Sequence, residues 1–236
     1  MASRKEQKEA LRREREERER QAREAERRKR MVGYGAGAAL ALAALVIVAV
    51  LLLSGGDGGG GGSEDVLPDG GEVPSQQATE LDEAARAAGC ELKSRRVRGR
   101  EHSADLAERV QYATNPPTGG NHFIEPAEDA AYQEAPQDEQ LVHSLEHGRV
   151  IVWLKPSLPE DARANLKALY DSDTYQMLIV PRRDMRFAVA STAWNREPEP
   201  DGTGRLLGCR RYNERVFDAL RTFRDEHRSN GPEPIP

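Results

Sequence analysis

Four of the chain's five histidines fall between positions 102 and 147, and the spacing of two of them suits metal chelation. His143 and His147 lie one helical turn apart in the stretch HSLEH. On a helix both rings project from one side, as two ligands of one ion must. Leu141 and Leu145 fall on the opposite side, so the histidine face is not the segment's own apolar anchor. His122 closes PPTGGNH, a stiff Pro-Pro entry followed by a Gly-Gly turn. Such a loop brings backbone close to a site and fixes a side chain there. Three imidazoles placed in this way point to a transition-metal site. The candidates for a further ligand are His102, Glu146 and Met185, the last in the turn PRRDM. Imidazole with thioether favours copper, and imidazole with carboxylate favours zinc. Met177 reads as strand core, and His227, at the end of the last helix, as a surface residue.

HSLEH also fits H-x-x-E-H, the inverted zinc-hydrolase pattern. In that chemistry His143 and His147 hold zinc and Glu146 activates the bound water. The pattern is short, with three fixed positions, so it stands as the catalytic alternative. A plainer alternative is a non-catalytic envelope protein, structural or partner-binding. Its histidines near a helix end would satisfy carbonyls, and Glu146 a salt bridge. No G-x-S-x-G motif and no phosphate-binding P-loop occur, and Ser144 beside His143 is no triad, since adjacent helical residues point apart.

The segments that must carry these residues alternate in type. Residues 79–88 read as a short helix that Gly89 ends, and 91–98 as a strand. A loop-rich stretch with six Pro and Gly punctuation points covers 111–138. A short helix carries HSLEH, capped by Asp138 and stopped by Gly148, and the buried strand RVIVWL follows. Residues 158–170 form an amphipathic helix with Ala162, Leu166, Leu169 and Tyr170 inward. Strands at 175–180 and 186–194 come next, with Trp153 and Trp194 as core or pocket wall. The last helix, 212–228, turns Val216, Phe217, Leu220 and Phe223 inward. The order predicts an α+β domain, a small sheet with helices packed on it.

The rest of the chain is a mosaic. Residues 1–30 hold 13 Lys/Arg and 8 Glu, a net +5; with −5 for the whole chain, residues 31–236 carry −10. An acidic body argues against nucleic-acid binding. The basic head has no apolar face, and its i, i+4 pairs of opposite sign suit a charged, solvated helix. Residues 31–53 hold 23 residues without a charge, enough to cross the roughly 30 Å hydrocarbon layer. Arg27, Arg28, Lys29 and Arg30 abut its start, and no basic residue follows before Arg86. The positive-inside rule therefore predicts a single-pass transmembrane helix in the lipid bilayer of the cell membrane, with the head cytoplasmic and the rest extracytoplasmic. A cleaved signal peptide is the alternative; the long head and the lack of a following A-x-A site oppose it. Residues 54–78 read as a flexible Gly-rich linker, and 79–236 as the extracytoplasmic α+β domain. Cys90 and Cys209, the only cysteines, stand at opposite ends of that domain with no CxxC. An even count outside the cell points to one structural disulfide, two buried thiols being the alternative.

These motifs together resemble the domain-of-unknown-function 3105 family of bacterial membrane proteins. The likeness rests on GREH (99–102), NPPTGGNH (115–122), LVHSLEHGRVIV (141–152), PRRDM (181–185), ASTAW (190–194), LGC (207–209) and the closing GPE (231–233). The family pattern looks more like PPTSGPH and DMPY, so Gly119, Asn121 and Arg186 depart from it without removing a histidine. The resemblance implies an extracytoplasmic domain behind an N-terminal anchor. It gathers His102, His122, His143, His147 and Met185 into one site and brings no activity with it.

Overall fold

The computed structural model describes residues 65–233. The charged head, the 31–53 span and most of the Gly-rich stretch lie outside the described residues. Among the described residues no helix is long and apolar enough to cross a membrane.

The elements are α1 (Leu81–Ala88), β1 (Cys90–Arg96), β2 (His102–Ser103), β3 (His122–Phe123), α2 (Asp138–Glu146), β4 (Val150–Leu154), α3 (Glu160–Ser172), β5 (Met177–Pro181), β6 (Val189–Asn195), β7 (Thr203–Cys209) and α4 (Val216–His227). Five strands form one mixed sheet in the order β1-β7-β6-β4-β5, and β2 and β3 form a separate parallel pair. Only β4 and β5 run parallel in the main sheet, with α3 as their crossover; the other neighbours are antiparallel. The domain is thus α+β.

Alternation along β4 explains the layering. Val150, Val152 and Leu154 face one apolar cluster with Leu166 and Leu169 of α3 and Val216, Phe217, Leu220 and Phe223 of α4. Ile151 and Trp153 face a second cluster on the other side, with Leu141, Val142 and Leu145 of α2. A strand apolar on both faces, buried throughout, is what a central position requires. Trp153 is fully buried, and its indole donates to Thr192 Oγ1 at 2.8 Å, so its one polar atom is satisfied. Cys90 and Cys209 are opposite each other in the β1–β7 register and are joined by a disulfide.

The structure corrects several expectations. Strand β7 was not foreseen; it pairs along its whole length with β1 and β6. The final helix starts at Val216 because the Asn213 carboxamide accepts from Arg215 N, and its carbonyl from Val216 N, forming a turn first. Asp138 does not cap α2: the preceding Gln137 is the N-cap, and the Asp138 carboxylate takes two bonds, 2.6 and 3.0 Å, from Arg182. His227 is 5 % exposed rather than on the surface, edge-on to Phe223 at 4.5 Å between centroids. The second half of the stretch read as linker is docked. Leu67 is buried, Arg163 donates to the carbonyls of Asp65 and Val66, and Asp218 accepts from the amides of Gln77 and Ala78.

Candidate metal centre

Three separate stretches of chain converge at the C-terminal end of α2. The parallel pairing of β2 with β3 sets His102 directly beside His122. Neighbouring residues of paired strands point to the same face, so the two rings meet, 4.4 Å between centroids. Helix α2 supplies His143 and Glu146 from the last turn, where i and i+3 share a side. The His143 ring lies 4.8 Å from both the His102 and the His122 rings. One ligand atom from each of His102, His122, His143 and Glu146 falls within 4.8 Å of all the others. Trp194 walls the site, edge-on to His122 at 5.9 Å.

Hydrogen bonding orients the ligands. His122 Nδ1 donates to Gly120 O at 2.7 Å, which leaves Nε2 its lone pair. The preceding Gly119 and Gly120 have φ of +144° and +136°, values that L side chains seldom adopt. The turn therefore bends sharply enough for its own carbonyl to hold the ring. Glu146 Oε1 accepts from Arg100 Nε, while Oε2 turns toward the imidazoles, 2.9 Å from His122 Nε2 and 3.3 Å from His102 Nε2. Oε2 is buried and has no hydrogen bond. A carboxylate oxygen and an imidazole lone pair at 2.9 Å repel unless a cation, proton or metal, lies between them. The same holds among the nitrogens: His102 and His122 Nε2 are 3.1 Å apart, and His143 and His147 Nε2 are 3.0 Å apart.

Ionisation keeps these groups in ligand form. Burial first, then the nearby His122, His147 and His102, lowers His143 to about 4. Burial and Arg149 lower His147 as well. Burial pulls Glu146 upward, but His122, when its Nε2 carries a proton, and Arg100 outweigh it and hold the carboxyl at about 2. At neutral pH His143 is thus a neutral imidazole beside an ionised carboxylate, the states that bind metal.

The expected residues are distributed unequally. His102, His122 and His143 come together, with Glu146 as the carboxylate. His147 caps α2 rather than extending it; its Nε2 lies 3.0 Å from His143 Nε2, as the one-turn spacing predicts, and it also forms a second group with Glu146 and Glu233. Met185 is buried in the apolar cluster with Leu141 and Trp153. Its turn is tied by Arg182 to Asp138, at the start of α2, about 12 Å along the helix axis from Glu146. Arg100 and Glu233 were missed, although both sit inside quoted motifs, GREH and GPE. Glu233 reaches the site because its amide donates to Glu146 O at 3.1 Å.

These features define a class: an α+β domain with a largely buried histidine–carboxylate cluster at one end of a helix, His102 on its exposed side. The chain belongs to the family described as protein of unknown function (DUF3105), whose model matches residues 103–234, more than half of the chain. His122, His143 and Glu146 fall inside the matched stretch, and His102 immediately precedes it. Neither a curated protein nor a solved structure matches the chain.

Proposed function

We propose that this chain is a membrane-anchored, extracytoplasmic protein whose outer domain binds one divalent transition-metal ion through His102, His122, His143 and Glu146. One observation carries the reading: buried Glu146 Oε2, without a hydrogen bond, lies 2.9 Å from His122 Nε2 and 3.3 Å from His102 Nε2, with His143 in the same ligand group. Three nitrogens and one oxygen suit zinc, and copper(II) after it. No thiolate is on offer, since both cysteines are bridged, and the Met185 turn is tied to the far end of α2, so copper(I) has no soft donor set here. The membrane anchor rests on the uncharged 31–53 run and the basic cluster before it, and the Cys90–Cys209 bridge fits an oxidising compartment. The acidic body gives no support to a nucleic-acid partner.

A hydrolase reading needs Glu146 free to take a proton from metal-bound water. Both its oxygens are committed, Oε1 to Arg100 and Oε2 to the ligand cluster. Binding without hydrolysis therefore fits better. The test is elemental analysis of the full-length chain, purified in detergent, incubated with zinc or copper(II) and desalted. One equivalent of metal is expected, and the double substitution His122→Ala with His143→Ala should abolish it. A wild-type chain that retains neither metal overturns the proposal.

A further inference from the structure

Glu146 belongs to two ligand groups. With His147 and Glu233 it offers a second set of three ligand atoms, all within 4.8 Å of one another. This set is the outer one: the Glu233 side chain is 45 % accessible, that of Glu146 not at all. Two ligand sets joined through one carboxylate are the frame of a two-metal centre. A cation is, however, already built into this frame. Arg100 donates through Nε to Glu146 Oε1, and its Nη2 lies 3.9 Å from Glu233 Oε2. One guanidinium thus reaches both carboxylates of the outer group and leaves Oε2 of Glu146 for the inner imidazoles.

We propose that Arg100 fills the second cation position and so limits this centre to one metal ion per chain. The proposal rests on the inner site being a metal site. Its physical basis is charge. Without Arg100 the outer group keeps two carboxylates, one of them wholly buried. A fixed side chain bears the positive charge at no loss of translational freedom, so it outcompetes a dilute divalent ion. Removing it leaves three protein ligands with solvent on one side, an open set that a divalent ion completes with water.

The experiment counts ions on the full-length chain. Zinc-loaded, desalted wild type should hold one zinc per chain, and Arg100→Ala should hold two. Arg100→Gln, which keeps a donor for Oε1 but no charge, should also hold two. Adding Glu233→Ala to either should return the count to one. Near-ultraviolet circular dichroism of the buried Trp153 and Trp194 checks that each variant is folded. A readout independent of any variant is copper(II) paramagnetic resonance of wild type, which should saturate at one equivalent without the dipolar broadening of a close pair. Two ions in wild type, or folded Arg100 variants that hold one or none, overturn the proposal. A wild-type chain with no metal at all instead overturns the metal-site reading on which it rests.

Discussion

His227 gives the chain a measurable acid sensitivity that does not involve the metal centre. The residue is 5 % exposed at the end of α4, its ring edge-on to Phe223 and its Nδ1 3.4 Å from Asn195 Nδ2. Burial first, and Arg205 second, lower it from 6.5 to about 4. Its neutral form is therefore favoured by folding. The stabilisation is complete above pH 6.5 and is withdrawn as pH falls from 6.5 toward 4, because the unfolded chain takes up the proton first. Over that window the loss is about 3 kcal/mol. Being buried, the group is little screened by solvent, so the figure needs no large discount. His143 acts in the same direction, and the comparison must isolate His227. Urea titrations of chelator-treated wild type and His227→Gln, at pH 7.5 and pH 4, do so. The wild type should lose about 3 kcal/mol more than the variant between the two pH values, roughly 1–1.5 M in urea midpoint. Equal losses in the two proteins would refute the argument, since no proton uptake would then be linked to this ring.

Two further outcomes follow from the packing. The Cys90–Cys209 bridge closes a loop with a sequence separation of 119, for which chain entropy sets about 5 kcal/mol of stabilisation; Cys90→Ser with Cys209→Ser should lower the urea midpoint accordingly, and an unchanged midpoint contradicts this. A Cβ at Gly231 would lie 2.2 Å from Glu146 O and 2.3 Å from Gly148 N, so Gly231→Ala must push the C-terminal segment off the end of α2. Its cost should be about 1–3 kcal/mol, with weaker zinc retention as the site loosens; a wild-type melting temperature together with wild-type zinc content would count against it.

Periodic elements were legible in the sequence and solitary ones were not. The run VIVWL, the inward stripe of α3 and that of α4 declare themselves because a whole face is apolar, and all are buried as expected. Strand β7 hides because Gly204, Arg205 and Gly208 break its alternation. Those glycines are demanded by neighbours far away in sequence: a Cβ would meet Thr118 at one and Phe187 at the other. His227 reads as surface because Arg224, Asp225, Glu226 and Arg228 surround it, yet its own position on the helix faces inward. At the site, helical spacing put His143 and His147 within reach of each other, and their Nε2 atoms lie 3.0 Å apart. The pairing of His102 with His122 is a contact between strands, which no local pattern announces. Met185 was offered as a further ligand because it is a thioether in a turn, and the bond from Arg182 to Asp138 holds that turn at the other end of α2.

Strand β1 borders the main sheet, and among the described residues no strand flanks its outer side. Residues 92–96 of this strand are exposed, and Lys93, Arg95 and Arg96 line them with positive charge. A second copy approaching edge to edge would meet the same row, and like charges set against each other resist sheet extension. For a protein anchored in a bilayer, as proposed, copies are confined to one thin layer of solvent. Crowding of that kind favours runaway polymerisation of open sheets, and a cationic border is a simple guard against it.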